Sequence, residues 1–305
     1  MNETIQNLLK TIADMSGKVS GAFNIRSNGK GIERHSTDSV TITPKQDKPG
    51  IDIVVKPFTT AEQVHIPVVI TETGVNDLVY NDFEIGEGAN VTIVAGCGIH
   101  NDGCETSRHD GIHTFHIGRG ARVKYVEKHY GEGSGTGGRI LNPTTIVHME
   151  PGAYCEMEMV QIEGVDSTIR ETTATLEKGA KMVMVEKLMT HGNQTAHSNV
   201  EIELNGDDAV LQVVSRSVAK ENSVQVFHPI ATGNAGCRAH IQCDSIIMDH
   251  AKVSSIPEIV ANHPDAQMIH EAAIGRINND QLTKLETLGM TEEEAEQIIV
   301  QAFLS

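Results

Sequence analysis

Residues 83–94 read FEIGEGANVTIV, and residues 115–126 read FHIGRGARVKYV. The two segments carry Phe, Ile, Gly, Gly, Ala, Val and Val at seven matching positions, 32 residues apart. Each copy places β-type residues on both sides of a Gly-x-Gly-Ala step, where glycine permits the positive φ of a tight turn. Each copy is therefore predicted to be a strand, a tight turn and a second strand.

The Gly-Ala step recurs along the chain at a nearly fixed spacing. It returns at Gly152-Ala153 and Gly179-Ala180, with weaker copies at Asp208-Ala209, His250-Ala251 and Asp265-Ala266. A repeat of about 30 residues in a β-rich chain is typical of a solenoid. We predict a mainly β fold, a right-handed parallel β-helix, with a β-sandwich of regular turns as the alternative.

The remaining pattern divides the chain into three predicted segments. Residues 1–50 are expected to form a short amphipathic helix over 1–15, then loop with one strand over 39–42. Residues 51–277 contain short β-type runs without helical periodicity and are predicted to be the β-helix core. Residues 278–305 are predicted to be a helical hairpin, with Gly289 ending its first helix and a capping box at 291–294 starting its second.

Charge and composition exclude several classes of protein. The chain has 305 residues and a formal net charge of −17. Nucleic acid and anionic membrane surfaces are not expected partners, because both need clustered Lys and Arg. Residues 1–15 have no signal-peptide character, and no stretch approaches the ~20 apolar residues of a membrane span. We expect a cytoplasmic protein whose acidic charge keeps it in solution or forms an acidic docking face.

Cysteine and histidine supply the candidate ligands. The five cysteines include no CxxC pair, so neither a disulfide framework nor a zinc ribbon is expected. The run GEGSGTGG at 131–138 lacks the Lys-Ser/Thr ending of a phosphate loop and is interpreted as a flexible loop. His109, His113 and His116 form an H-x3-H-x2-H run, in which positions i and i+4 would share the face of a helix and could bind a metal. On the predicted strand His113 and His116 face opposite sides, which favours exposed or hydrogen-bonded histidines.

The most informative region lies between residues 236 and 277. Cys243 stands in one predicted strand, and His270 and Glu271 stand in the strand of the next coil. Thiolate, imidazole and carboxylate are the ligand set for iron and for partial iron–sulfur clusters. A buried structural cysteine with an exposed glutamate is the alternative interpretation.

An ordered set of motifs in this region resembles the closing segment of the SufB/SufD family, the scaffold subunits of the SUF iron–sulfur cluster assembly system. The similarity covers residues 215–305. The matching motifs are Cys243-Asp244-Ser245, Ile256-Pro257-Glu258-Ile259, His270-Glu271-Ala272, INNDQ at 277–281 and Thr291-Glu292-Glu293-Glu294-Ala295.

The resemblance implies a scaffold rather than an enzyme, carrying iron and a transient iron–sulfur cluster. It places Cys243 near the interface between two scaffold subunits, with Glu271 working beside it and His270 in the SufD-like role. It also implies that the C-terminal helices dock a SufC-like ABC-type ATPase. The residues at that place are Leu282, Leu285, Leu288, Ile298, Ile299 and Phe303.

The chain departs from the family pattern. It is shorter than typical SufB, and 205–208 offer no match to the internal sulfur-accepting cysteine of longer members. Because it has both Glu271 and His270, it resembles a minimal SufB-like protein, able to pair with itself or with a SufB/SufD paralogue. Two other functions stay open: a protein-interaction module, and a carbohydrate-active β-helix enzyme, for which four Tyr, six Phe and no Trp supply few sugar platforms.

Overall fold

The computed structural model describes residues 3–15 and 20–305. It is mainly β, with 57% of the residues in strands, and forms a parallel β-solenoid of about 8 turns. Three helices accompany the solenoid within the described residues: α1 (Glu3–Ala13), α2 (Asn279–Thr287) and α3 (Glu292–Leu304). None of these helices is long and apolar enough to cross a lipid bilayer.

The strands alternate between two 11-stranded sheets that face each other across the core. The first sheet contains β1 (Ala22–Ser27), β2 (Lys30–His35), β5 (Glu62–His65), β6 (Val68–Ile70), β8 (Asn90–His100), β10 (Arg122–Glu132), β13 (Tyr154–Glu163), β15 (Lys181–Thr190), β17 (Val210–Ala219), β19 (Arg238–Ile247) and β22 (Gln267–Gly275). The second contains β3 (Val40–Pro44), β4 (Gly50–Val55), β7 (Asn76–Ile85), β9 (Ser107–Ile117), β11 (Arg139–Leu141), β12 (Thr144–Met149), β14 (Ser167–Leu176), β16 (Thr195–Leu204), β18 (Val224–Gly233), β20 (Lys252–Ser255) and β21 (Glu258–Ala261).

The repeated motif sets the register between neighbouring coils. Phe83 pairs with Phe115, and the two buried rings stack with centroids 4.2 Å apart. Gly88 and Gly120, in the turns that join the sheets, both have a φ of +62°, which glycine adopts without a Cβ clash. The prediction of a parallel β-solenoid is confirmed.

The N-terminal region differs from its prediction. The predicted helix is present as α1 and the strand predicted at 39–42 is present as β3, but β1 and β2 lie in the part of the chain that was expected to be loop. Strands β1 and β2 form one antiparallel pair, and β3 and β4 form another. These pairs cover the N-terminal end of the solenoid, and β2, whose residues are all exposed, has no buried alternation by which it could be predicted. The predictions for residues 1, 2 and 16–19 lie outside the described part.

Helix α1 packs on the outer face of the first sheet. A side chain at Gly96 of β8 would collide with the carbonyl oxygen of Ile12, and one at Gly98 would meet Leu8. The glycines therefore leave a shallow track in which the helix buries Leu8, Leu9 and Ile12. This close approach is the structural reason for two glycines inside a strand.

The glycine-rich segment 131–138 is packed against the preceding turn. Gly135 N donates to Asn101 O at 3.1 Å, and Gly137 N donates to Gly103 O at 3.0 Å. A Cβ at either glycine would collide with the backbone of that turn. The glycines therefore serve close stacking between coils, and residues 133–138 form a loop, as predicted.

The C-terminal hairpin has the predicted caps. Thr291 and Glu294 form a capping box at the start of α3, and Gly289 follows α2 with a φ of +95°. Helix α3 packs on the outside of the solenoid, where Val300 and Leu304 contact Val218 and Met248. The boundaries between the three predicted segments, at 50/51 and 277/278, remain predictions.

Candidate functional site

Cys243 lies in the core of the last complete coil. Strand β19 directs it inward, and the residue is only 2% exposed. Its register partners are Ser215 of β17 and Ala272 of β22, so small side chains flank the thiol on both sides. The sulfur therefore lies between neighbouring strands, and the side chains beside it are small.

His270 of β22 points toward the same face and reaches the thiol. Its register partner is Ile241, so it lies diagonally across from Cys243. The Nε2 atom of His270 is 3.4 Å from Sγ of Cys243. The structure therefore brings together two of the three predicted site residues, 27 positions apart in sequence.

The surroundings favour a protonated thiol. Burial raises the pKa of Cys243, and the nearby negative charges of Asp244 and Glu186 act in the same direction. The nearby Ser255 hydroxyl acts in the opposite direction and lowers the pKa of the thiol. Thiolate formation at this position therefore needs a proton acceptor or a cation nearby.

Glu271 lies on the opposite face of β22, because successive side chains alternate along a strand. Its Oε1 is 3.7 Å from Nε2 of His240, and its side chain is 64% exposed. Across residues 3–15 and 20–305, no three His, Cys, Asp or Glu side chains are placed to hold a metal ion together. Within one chain, the carboxylate does not share the surface of the thiol–imidazole pair.

A series of buried polar side chains leads away from Cys243 through the interior. Ser215 Oγ donates to Glu186 Oε2 at 3.1 Å, and Arg170 Nε lies 3.6 Å from Glu186 Oε1. Arg170 also donates to Glu127 on the other side. Burial alone would raise the pKa of Glu127, but the Arg170 guanidinium and His129 hold it well below its usual range.

Sequence reasoning missed this polar series. The signal was available, because Glu127, Arg170 and Glu186 each occupy an inward position in the alternation of β10, β14 and β15. A charged residue at an inward position is unusual and needs a partner. Glu186, Ser215 and Cys243 line one cavity of about 10 Å³, and its other polar lining residues include Ser198, Ser217, Gln225 and Ser245.

The histidine run divides between the two faces of β9. His109 and His113 are buried, whereas His116 is outside and stacks on His148 with ring centroids 5.0 Å apart. His109 Nδ1 lies 3.1 Å from Asp77 Oδ2. The strand prediction for this run is confirmed, and the three imidazoles do not converge on one point.

The other cysteines are free thiols away from the pair. Cys97, Cys155 and Cys237 are buried and Cys104 is exposed. Burial raises the pKa of Cys155 to about 12. The three buried thiols behave as small apolar core residues.

The predicted partner-binding residues are only partly covered by the solenoid. Leu288 is 72% exposed and Ile298 is 43% exposed. Phe303 packs instead against the cluster around Val300 and Leu304, and Leu282, Leu285 and Ile299 are half-buried. An apolar surface on α2 and α3 therefore remains open.

The chain is similar in sequence to several curated proteins, among them an iron–sulfur cluster assembly SufBD family protein from Methanocaldococcus jannaschii. It is 28% identical over 255 residues, covering 83% of this chain and 79% of that protein. One from Archaeoglobus fulgidus is 23% identical over 227 residues, covering 74% of this chain and 60% of that protein. SufB of Bacillus subtilis is 31% identical over 96 residues, covering 30% of this chain and 21% of that protein.

Residues 73–303 match the family described as SUF system FeS cluster assembly, SufBD core domain. That range runs from the end of the N-terminal strand pairs, through the solenoid, into α3, and it includes Cys243, His270 and Glu271. Such membership supports a role in iron–sulfur cluster assembly. The chain belongs to the SufBD core family.

Proposed function

We propose that this protein is a cytoplasmic scaffold subunit on which an iron–sulfur cluster is assembled and then released, and that it is not an enzyme. The observation that carries the proposal is the 3.4 Å approach of Cys243 Sγ to His270 Nε2. Sulfur and imidazole nitrogen are ligands of iron and of iron–sulfur clusters. Family membership supports the same role.

In this proposal Cys243 and His270 have different chemical roles. A thiol must lose its proton before it binds iron, and burial raises the pKa of Cys243. His270, in the tautomer with Nε2 unprotonated, accepts that proton when iron binds the sulfur. The imidazole then either donates a hydrogen bond to the thiolate or ligates iron itself after releasing the proton.

In this proposal Glu271 belongs to a shared site between two subunits. Its side chain is 64% exposed and lies on the last strand of the first sheet. Ile269, on the same face of that strand, is 54% exposed. Pairing of two such strands, in a homodimer or with a SufB/SufD paralogue, would cover this edge and bring two copies of the site together.

A SufC-like ATPase is the second proposed partner. The exposed Leu288 and Ile298 offer it an apolar surface on the C-terminal hairpin. ATP hydrolysis in that partner would reshape the scaffold interface, since the hairpin is anchored on the solenoid through Val300 and Leu304.

Anaerobic reconstitution with ferrous iron and sulfide tests the site. The wild-type chain is expected to develop thiolate-to-iron absorption, and Cys243→Ser is expected to lose most of it. His270→Ala is expected to retain less iron after desalting. Cys237→Ser is the matched control, because Cys237 is also buried in the core and lies immediately before β19.

Equal iron and sulfide contents in the wild type and Cys243→Ser would contradict the assignment of Cys243. Glu271→Gln separates the shared site from a single-chain site. If Glu271 acts only across two subunits, Glu271→Gln lowers cluster content in the dimer fraction and leaves the monomer fraction unchanged.

A further inference from the structure

A cleft of about 340 Å³ opens at the N-terminal end of the solenoid. It lies between β1 and β2 of the first sheet and β3, β4 and β7 of the second. Its volume is in the range of small-molecule sites. Cys243 and His270 are at the opposite end of the stack of coils, so this cleft is separate from the site already described.

The walls of the cleft carry four cationic side chains and no carboxylate. These are Arg26, Arg34, Lys45 and Lys48. The chain as a whole has 24 Lys and Arg against 41 Asp and Glu. The only charged residues in the lining are therefore cations, although the molecule as a whole is acidic, and the concave shape focuses the positive potential of those cations that have no carboxylate partner.

Two of the four cations already have carboxylate partners. Arg26 Nη2 is 2.6 Å from Asp77 Oδ1, and Lys45 Nζ contacts both Asp52 and Asp82, at 2.6 Å from Asp82 Oδ2. The carboxylates hold these side chains in fixed positions. Arg26 Nη1 makes no hydrogen bond within the described residues.

The other two cations have no ion pair in the described part of the chain. Arg34 Nε donates to the neutral Oδ1 of Asn24 at 3.0 Å. Lys48 Nζ lies over the ring of Tyr80, 4.4 Å from its centroid. Their positive charges are not neutralised by carboxylates and remain available to a ligand.

A buried amide in the same wall points to a ligand independently of charge. Asn81 is only 6% exposed, lines the cleft and makes no side-chain hydrogen bond in the described structure. Asn24 is 8% exposed, and its amide nitrogen is likewise without an acceptor. Both residues line the cleft and their amide groups are not sealed from it, so these donors are free to bond a ligand that enters the cleft.

We propose that this cleft binds a small multivalent oxyanion, a phosphate compound or a polycarboxylate. Guanidinium and ammonium groups supply the charge, and the amides of Asn24 and Asn81 supply directed donors for its oxygen atoms. The four cationic side chains in the wall repel a free metal cation. The apolar floor, formed by Ile51, Ile66, Val68 and Val79, limits the space for water and strengthens each contact.

Calorimetric titration of the full chain at low ionic strength tests the proposal with pyrophosphate, inorganic phosphate and citrate as probes. The expected result is saturable binding of one of them that weakens with added salt. Binding of pyrophosphate or phosphate alone assigns a phosphate compound, and binding of citrate alone assigns a polycarboxylate. A Kd weaker than about 1 mM for all three probes would overturn the proposal.

The variant Arg34→Gln/Lys48→Gln is expected to weaken binding by about tenfold or more, since each charge-assisted contact is a strong one. Both side chains are exposed, so the fold is retained. Asn81→Asp, which adds a carboxylate to the wall, is expected to weaken binding at least as much. The matched control is Lys181→Gln/Lys252→Gln, which removes two exposed cations elsewhere; an equal loss of affinity in the control would overturn the assignment.

Discussion

Buried ionisable residues give this solenoid an unusual interior at the residue scale. Arg170 is 3% exposed and lies between Glu127 and Glu186. A buried charge without a partner is costly, so each member of the trio depends on the others. His113 belongs to the same interior but has no opposite charge bonded to it, and its Nδ1 atom lacks a hydrogen-bond partner.

His113 makes the stability of the protein depend on pH. Burial lowers its pKa from 6.5 to about 4, so the folded state holds it neutral. Between these values the unfolded chain binds more protons, and stability therefore falls as pH falls through this window. Urea unfolding of the wild type should lose about 2 kcal/mol between pH 7.5 and 5 through this residue alone.

His113→Gln should remove that part of the pH dependence, because glutamine does not titrate. His116→Gln is the control, since His116 lies on the outer face of the same strand. Above pH 5 the carboxylates of Asp77 and Glu127, whose pKa values are lowered in the folded state, contribute little to the slope. An unchanged slope in His113→Gln would contradict the assignment.

At the scale of elements, α1 depends on the glycines beneath it. Gly96→Val should displace the helix, because any side chain at this position collides with the backbone of Ile12. Hydrogen exchange of residues 3–13 should lose its protection while the solenoid strands keep theirs. Gly275→Val is the control, as a Cβ there meets nothing within 4 Å; full protection of α1 in Gly96→Val would show that the helix does not need this track.

The two ends of the molecule differ at the largest scale. Antiparallel strand pairs close the N-terminal end, whereas β22 ends the first sheet with no strand beyond it in the described chain. An open edge with exposed apolar side chains favours pairing with another chain. This asymmetry is the reason for placing the proposed subunit interface at the C-terminal coils.

Sedimentation velocity tests that placement. The wild type is expected to form dimers, and Ile269→Lys is expected to shift it toward monomers by putting a charge on the paired edge. Ile169→Lys is the matched control, because Ile169 is similarly exposed, at 47%, in the middle of the second sheet. A wild type that stays monomeric, with no SufB/SufD paralogue bound, would contradict self-pairing.

Local patterns determined much of this protein in advance. The Gly-x-Gly-Ala repeat predicted the coils because each turn needs glycine and each coil stacks on its neighbour through the same contacts. The capping box at Thr291 and the alternation around His113 and His116 could also be predicted, since both depend on neighbours within a few residues.

Tertiary structure alone decided which distant residues meet. The diagonal register of β19 and β22 brings His270 to Cys243 and turns Glu271 outward, and a shift by one residue would reverse this. The convergence of Arg26, Arg34, Lys45 and Lys48 on one cleft likewise follows from how β1 to β4 close the solenoid. Such contacts join residues far apart in sequence, so no local periodicity specifies them.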